Sequence, residues 1–390
     1  MLKNSLRLIP AIIVTALVIT GCQTTPKTSQ SAPTAVEPAK VVASEDGKTA
    51  WCNALNLGLE GQGWHDGIKR PYDRFPGEAE GKVPDPVWGL SRHSAGMNVR
   101  FVTDSPTIAI RWSVLNAGLA MPHMPATGVS GVDLYVKDQG RWGWLGIGIP
   151  NKKDDNEAVI AEKLPSGQHE YRLYLPLYNG TEKLEIGVKP GSVLAKAPAY
   201  AVGHEKPMLF WGSSILQGGC ASRPGMAYTS IIGRRMERPV LNFGFSGNGR
   251  MDPPVVDLIA KLDVSIYVID CCPNMSAAEI TERTEPLVKT LRAAHPDTPI
   301  VLVENVPYEK GWFLPDSKDA YAKKNVALRA AYDRLIAAGV KDLSYIPCTD
   351  LFGHDQEATV DGVHPNDLGF LRMADAIEPY LRKVLHQKAK

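Results

Sequence analysis

The chain is organised around Leu209-Phe210-Trp211-Gly212-Ser213-Ser214-Ile215-Leu216-Gln217-Gly218. An apolar run over 208–211 stops at Gly-Ser-Ser, and a helix-like segment begins near Ala227. A strand, a tight turn carrying a small hydroxyl and a following helix present that hydroxyl at the end of a sheet. Such a hydroxyl is a weak nucleophile until an imidazole takes its proton. The imidazole in turn needs a carboxylate on its other nitrogen to fix its tautomer. The far end of the chain supplies both in Asp361-Gly362-Val363-His364-Pro365. His354 lacks the Asp-x-x-His spacing and reads as a loop histidine.

Around this stretch the pattern alternates. Apolar runs over 208–211, 240–243, 265–269, 300–303 and 343–346 read as strands. The segments 228–236, 254–262, 277–294, 319–338 and 367–385 read as helices, the third opened by Ser276 and Glu279 at capping-box spacing. Alternation of this kind predicts a parallel sheet covered by helices, with functional loops at the carboxyl ends of the strands. Upstream, 98–103, 107–114, 132–136, 171–175 and 183–188 are short β-like runs separated by Gly, Pro or Asp. They predict an antiparallel sandwich or jelly roll. The expected organisation is an all-β domain over 47–200 and an α/β domain over 201–390.

The first residues read as an export signal. Lys3 and Arg7 precede an apolar run over 8–20, too short for a comfortable membrane span. The run ends in Ile19-Thr20-Gly21-Cys22, which resembles the bacterial lipobox. That resemblance implies an acylated Cys22 as first mature residue, with 1–22 as signal and lipobox. Gln23 resembles the pattern for sorting to the outer membrane. The expectation is a protein of the bacterial cell envelope, held to a membrane through lipid at Cys22 and facing the periplasm or the surface. A plain secretory signal is the alternative. Residues 23–46, rich in Thr, Ser, Pro and Ala, read as a flexible tether.

A formal net charge of +1 without a basic patch argues against a nucleic-acid partner. Export makes the remaining cysteines relevant: Cys52, Cys220, Cys271, Cys272 and Cys348. Adjacent Cys271 and Cys272 allow a strained vicinal disulfide, although buried thiols on a core strand are the expected reading. Neither the cysteines nor the histidines have metal-site spacing, so no metal and no cofactor are expected.

Four stretches carry the chemistry. They are Gly212-Ser213-Ser214, then Asn242-Phe243-Gly244-Phe245-Ser246-Gly247-Asn248-Gly249, then Asp270-Cys271-Cys272-Pro273-Asn274-Met275, then Asp361-Gly362-Val363-His364-Pro365. In this order they resemble the conserved blocks of the SGNH, or GDSL-type, hydrolase family over residues 205–390. The resemblance implies a three-layer α/β/α domain with a flavodoxin-like parallel sheet. It implies Ser214 as nucleophile, His364 as base and Asp361 as its orienting acid. It also implies an oxyanion hole from the N–H of Ser214, the N–H of Gly247 and the side-chain amide of Asn274. Ser213 stands where the family usually has Asp, and Cys-Pro-Asn replaces Gly-x-Asn-Asp.

Gly131-Val132-Asp133-Leu134-Tyr135 is similar to the Gly-x-Asp-Leu-Tyr signature of a β domain that precedes some bacterial SGNH domains. Asp133 is expected to hold structure rather than touch substrate. Two loops are candidates for binding substrate: Ala120-Met121-Pro122-His123-Met124-Pro125, through His123, and Gly311-Trp312-Phe313-Leu314, through Trp312. The resulting expectation is a serine esterase acting on short acyl groups, O-acetyl above all, carried by carbohydrate. The alternatives are a lipase, lysophospholipase or thioesterase on lipid-like esters, acyl transfer to an acceptor other than water, and a non-catalytic carbohydrate-binding protein.

Overall fold

The computed structural model describes residues 34–35 and 41–388. The stretch read as an export signal, with Cys22, lies outside the described residues. The N-terminal half runs β1 (Thr34–Ala35), β2 (Val41–Ala43), β3 (Ala50–Asn53), β4 (Leu59–Glu60), α1 (Asp85–Ser91), β5 (Asn98–Thr103), β6 (Thr107–Val114), α2 (Ala126–Val129), β7 (Val132–Asp138), β8 (Arg141–Gly148), β9 (Asn156–Glu162), β10 (His169–Tyr174), β11 (Thr181–Val188) and β12 (Leu194–Lys196). Its strands form two antiparallel sheets. One has the order β1-β12-β5-β10-β7-β8, with β4 also on β5, and the other β2-β3-β11-β6-β9. Phe101, Trp112, Leu134, Tyr171, Leu173 and Ile186 fill the space between them. Alternation along each strand sends every second side chain inward, as a sandwich requires.

The C-terminal half runs β13 (Met208–Gly212), α3 (Ser214–Gln217), α4 (Tyr228–Met236), β14 (Val240–Gly244), α5 (Pro253–Ile259), β15 (Ile266–Asp270), α6 (Ala277–Ala294), β16 (Ile300–Val303), α7 (Pro315–Ala337), β17 (Leu343–Ile346) and α8 (Asp367–Lys388). Its sheet is parallel throughout, in the order β14-β13-β15-β16-β17. This is the doubly wound order whose switch point lies between the first and third strands. The strands read as unbroken apolar runs because both faces are covered. Leu209 and Trp211 enter one core with Phe243 and Ile269. Met208 and Phe210 enter the other with Val240 and Val268. Full burial of each such side chain stabilises the fold by roughly 1.5–3 kcal/mol. The capping box of α6 is formed: Glu279 N–H donates to Ser276 Oγ at 3.2 Å and Ser276 N–H to the Glu279 carboxylate at 2.7 Å.

Several expectations are corrected. The stretch read as a tether contains paired strand: β1 pairs with β12 and β2 with β3. Composition underestimates these residues because each strand is short and borrows its partner from an existing sheet. Phe75, Ala79, Val83 and Val87 belong to the core of the α/β half, not to the sandwich. This segment of the β half therefore packs into the core of the α/β half. Helix α7 begins at Pro315, with proline at its first position, instead of 319. Strands β8 and β9 and the seven-residue helix α1 escape the sequence reading. Glycines at 143, 146 and 148 interrupt the apolar alternation of β8, and α1 is too short to show a period.

Candidate active site

Ser214 is the first residue of α3, one turn of helix at the carboxyl end of β13. The turn is built from both sides. Ser213 caps it by accepting from the Ile215 N–H at 3.3 Å, and Gly218 ends it in the left-handed region at φ 105°. A capping position takes Ser as readily as Asp, so Ser213 fills the structural place of the family's usual Asp. Ser214 is 7% exposed.

The structure brings the three residues from 214 and 361–364 into one hydrogen-bonded line. The Ser214 hydroxyl lies 2.8 Å from His364 Nε2, and His364 Nδ1 lies 2.7 Å from Asp361 Oδ2. A carboxylate only accepts, so Nδ1 carries the proton and Nε2 is left bare to accept from Ser214. Asp361 Oδ1 meanwhile accepts from the N–H groups of His364 at 2.8 Å and Val363 at 3.0 Å. Partial burial pushes the Asp361 carboxyl up. The hydrogen bonds from His364 and Val363 outweigh that and hold it at about 2. It is therefore an anion wherever the imidazole needs it as one.

The loop bearing these residues is anchored from the turn over Glu309–Trp312. Glu309 N–H donates to Gly362 C=O at 2.9 Å. Its carboxylate accepts from the Ala358 N–H at 2.8 Å and from the Thr359 hydroxyl.

The expected oxyanion donors stand at the carboxyl ends of three adjacent strands. Ser214 N–H opens α3, where the first amides of a helix have no partner within it. Gly247 follows β14 at φ 71°, a backbone conformation that side chains rarely adopt. Asn274 closes the 3-10 turn after β15. Its Oδ1 accepts from Gly249 N–H at 3.1 Å, which leaves Nδ2 as the donor end of the amide.

Of the two expected substrate contacts, His123 lies beside the line, its ring 6.1 Å from that of His364. Trp312 is 70% exposed and packs against Phe313 at 5.2 Å. It is tied to the site through its own turn, by the Glu309–Gly362 bond, rather than by its ring. His354 sits apart, 3.7 Å from Asp350. Cys220 is near Asp361, and burial, with that charge second, pushes its thiol up to about 12. It stays protonated and offers no rival nucleophile. Cys271 and Cys272 are buried thiols rather than a disulfide.

Residues of the β half that the sequence reading passed over reach the same place. Tyr178 donates to Ser214 C=O at 3.0 Å. Gln217 on α3 lies 3.1 Å from His93 Nδ1 and accepts from Ser246 N–H at 2.9 Å. Arg74, fully buried, donates to the carbonyls of Leu90, His93, Asn242 and Gly244. Separations of up to 170 residues hide these contacts from any local pattern. Asp133 proves to be a contact between the halves, pairing with Arg223 at 2.8 Å.

Comparison with known proteins agrees with this architecture. The model of the GDSL-like Lipase/Acylhydrolase family matches residues 205–382. The model of the Gly-x-Asp-Leu-Tyr domain, the N-terminus of SGNH-hydrolase-type esterases, matches 49–194. No curated protein sequence matches the chain. A crystal structure described as a GDSL-like lipase from Bacteroides ovatus ATCC 8483 is 36% identical, with TM-score 0.81 over 87% of this chain and 98% of that one. The salicylyl-acyltransferase SsfX3 of a tetracycline biosynthetic pathway shares the fold at 19% identity and TM-score 0.69, over 88% and 97% of the two chains. An acetyl xylan esterase from Butyrivibrio proteoclasticus shares it at 12% identity and TM-score 0.55, over 86% and 99%. The chain belongs to the GDSL-like lipase/acylhydrolase family, the SGNH-type ester hydrolases.

Proposed function

We propose that this ester hydrolase removes short acyl groups, O-acetyl above all, from carbohydrate through an acyl-serine intermediate at Ser214. The observation that carries the reading is the line Ser214 Oγ–His364 Nε2–His364 Nδ1–Asp361, at 2.8 and 2.7 Å. Ser214 Oγ attacks the ester carbonyl carbon while His364 Nε2 takes its proton. The carbonyl oxygen gains the negative charge and is met by the N–H groups of Ser214 and Gly247 and by Asn274 Nδ2. Each such donor is worth about 3 kcal/mol in the transition state. The carbon–oxygen bond to the sugar then breaks, and His364 returns the proton to the leaving alkoxide. Water attacks the acyl-serine, His364 takes a proton from it, and the carboxylic acid leaves as Ser214 regains its hydrogen.

Support for carbohydrate comes from the groups around the serine. Tyr178 reaches the Ser214 carbonyl and His123 stands beside His364, and the exposed rings of Trp312 and Phe313 stand next to the His364 loop. Polar groups suit hydroxyl-rich leaving groups, and aromatic faces suit the apolar faces of sugars. The fold likeness to an acetyl xylan esterase points the same way. The lipobox reading adds a lipid anchor at Cys22 in the bacterial envelope, which puts the enzyme where polysaccharide is met.

Purified protein assayed on p-nitrophenyl acetate, p-nitrophenyl palmitate and acetylated xylan tests this. Turnover of acetate and xylan esters, absent in Ser214→Ala, is expected. Preference for palmitate would favour the lipid-ester reading instead.

A further inference from the structure

The orientation of the Gln217 side chain is decided by backbone groups. Its Nε2 donates to Leu177 C=O at 3.1 Å, and a carbonyl only accepts. Its Oε1 accepts from Ser246 N–H at 2.9 Å, and an amide N–H only donates. Flipping the amide would set acceptor against acceptor at one end and donor against donor at the other. The remaining hydrogen of Nε2 therefore goes to His93 Nδ1, 3.1 Å away. His93 must then be neutral, with its proton on Nε2.

Its surroundings keep it so. Burial, and second the charge of Arg74, hold the imidazole well below its usual range. Arg74 itself donates to the His93 carbonyl at 2.8 Å. Among the described residues no carboxylate pairs with Arg74 to offset that charge.

Ser246 directly precedes Gly247. Its N–H bond to Gln217 ties the segment between β14 and Gly249 to α3. The same segment is held by Phe245 N–H on Gly212 C=O at 2.9 Å and by Gly249 N–H on Asn274 Oδ1 at 3.1 Å. Gln217 itself makes no contact with a reacting atom, because its polar atoms are all spoken for.

We infer that His93, carried by the β half, is a positioning residue for ester hydrolysis: it pins the Gln217 amide, and Gln217 holds Ser246 so that the Gly247 N–H is aimed at the developing oxyanion. Tyr178, on the same half, secures the other side of the turn through Ser214 C=O. The β half is thereby part of the catalytic apparatus and more than a carbohydrate-side accessory. The inference rests on the reading of Ser214 and Gly247 given above.

The test is steady-state kinetics on p-nitrophenyl acetate with Gln217→Met, His93→Leu and His93→Asn, alongside hydrogen exchange of the peptide spanning 243–251. Deleting a whole oxyanion donor costs about 10²–10³ in kcat, so loosening one is expected to cost about tenfold in Gln217→Met and His93→Leu. KM should stay within about twofold, because the interaction acts in the transition state. His93→Asn can accept from Gln217 and is expected to recover most of kcat. Exchange should quicken in 243–251 and not across the β half.

Gln217→Met or His93→Leu folded with kcat unchanged would overturn the inference. So would equal losses in His93→Leu and His93→Asn. If His93→Leu fails to fold, Gln217→Met, which alters no residue of the β half, decides by the same readings. Ser214→Ala separates the two levels. Residual full activity there defeats the reading of the site, whereas loss there with wild-type kcat in Gln217→Met defeats only the role given to His93.

Discussion

The backbone N–H of Gly225 donates to the Asp133 carboxylate at 3.0 Å, across the junction between the two halves of the chain. Arg223 completes the clamp, donating from Nη1 to Asp133 Oδ2 at 2.8 Å and to the Tyr135 hydroxyl. The third and fifth residues of Gly131-Val132-Asp133-Leu134-Tyr135 thus grip the segment leading from α3 to α4. Burial pushes the Asp133 carboxyl up, and Arg223 pulls it back. Breaking a buried pair strands the remaining charge, so Asp133→Ala should cost about 3–5 kcal/mol, read from urea unfolding. Gly225→Ala would set a methyl 2.3 Å from the Tyr135 ring, and an overpacking loss of about 1–3 kcal/mol is expected. Wild-type midpoints in both variants would contradict the clamp.

Ser213 provides a smaller test. Ser213→Ala removes the acceptor for Ile215 N–H and should cost about 1 kcal/mol of stability, with a fall in kcat because Ser214 sits on the same turn. Ser213→Asp restores the cap and should recover kcat. A kcat in Ser213→Ala equal to wild type would show that the cap does not govern the nucleophile's position.

His123 and Trp312 should separate leaving-group binding from chemistry. Neither lies in the hydrogen-bonded line. His123→Ala and Trp312→Ala are therefore expected to raise KM for acetylated xylan about tenfold while changing kcat on p-nitrophenyl acetate by less than about twofold. Unchanged KM on xylan in both would remove them from the binding surface.

Acid stability follows from His93. Burial and the Arg74 charge hold its imidazole at about 3, while an unfolded histidine titrates near about 6.5. Between those values the unfolded chain binds a proton that the folded chain refuses. The contribution is thus present above about pH 6.5 and is lost as pH falls toward about 3. The urea midpoint should fall between pH 7.5 and 4.5, and His93→Asn should flatten that slope. Identical slopes would contradict the assignment.

Ser214, Asp361 and His364 were legible in the sequence because each lies in a short block whose chemistry is local: strand end, turn, and the Asp-x-x-His spacing; Asn274 stood out only through the family resemblance. The five parallel strands were legible for a related reason, since burial on both faces leaves an unbroken apolar run. The ties from the β half were not. Gln217 reaches back 124 residues to His93, and Ser214 reaches 36 to Tyr178. His93 showed only as one histidine among several. Membership of Phe75 and Val87 in the α/β core was hidden likewise, because periodicity reports that a side chain is buried and not which core receives it.

Covalent trapping tests the central claim most directly. Incubation with a fluorophosphonate that mimics the tetrahedral centre, followed by peptide mass spectrometry, should show one adduct, on Ser214. The adduct should be absent in Ser214→Ala and form at least about a hundredfold more slowly in His364→Ala, since the hydroxyl then has no base. An adduct on another residue, or undiminished ester turnover by Ser214→Ala, would contradict the account.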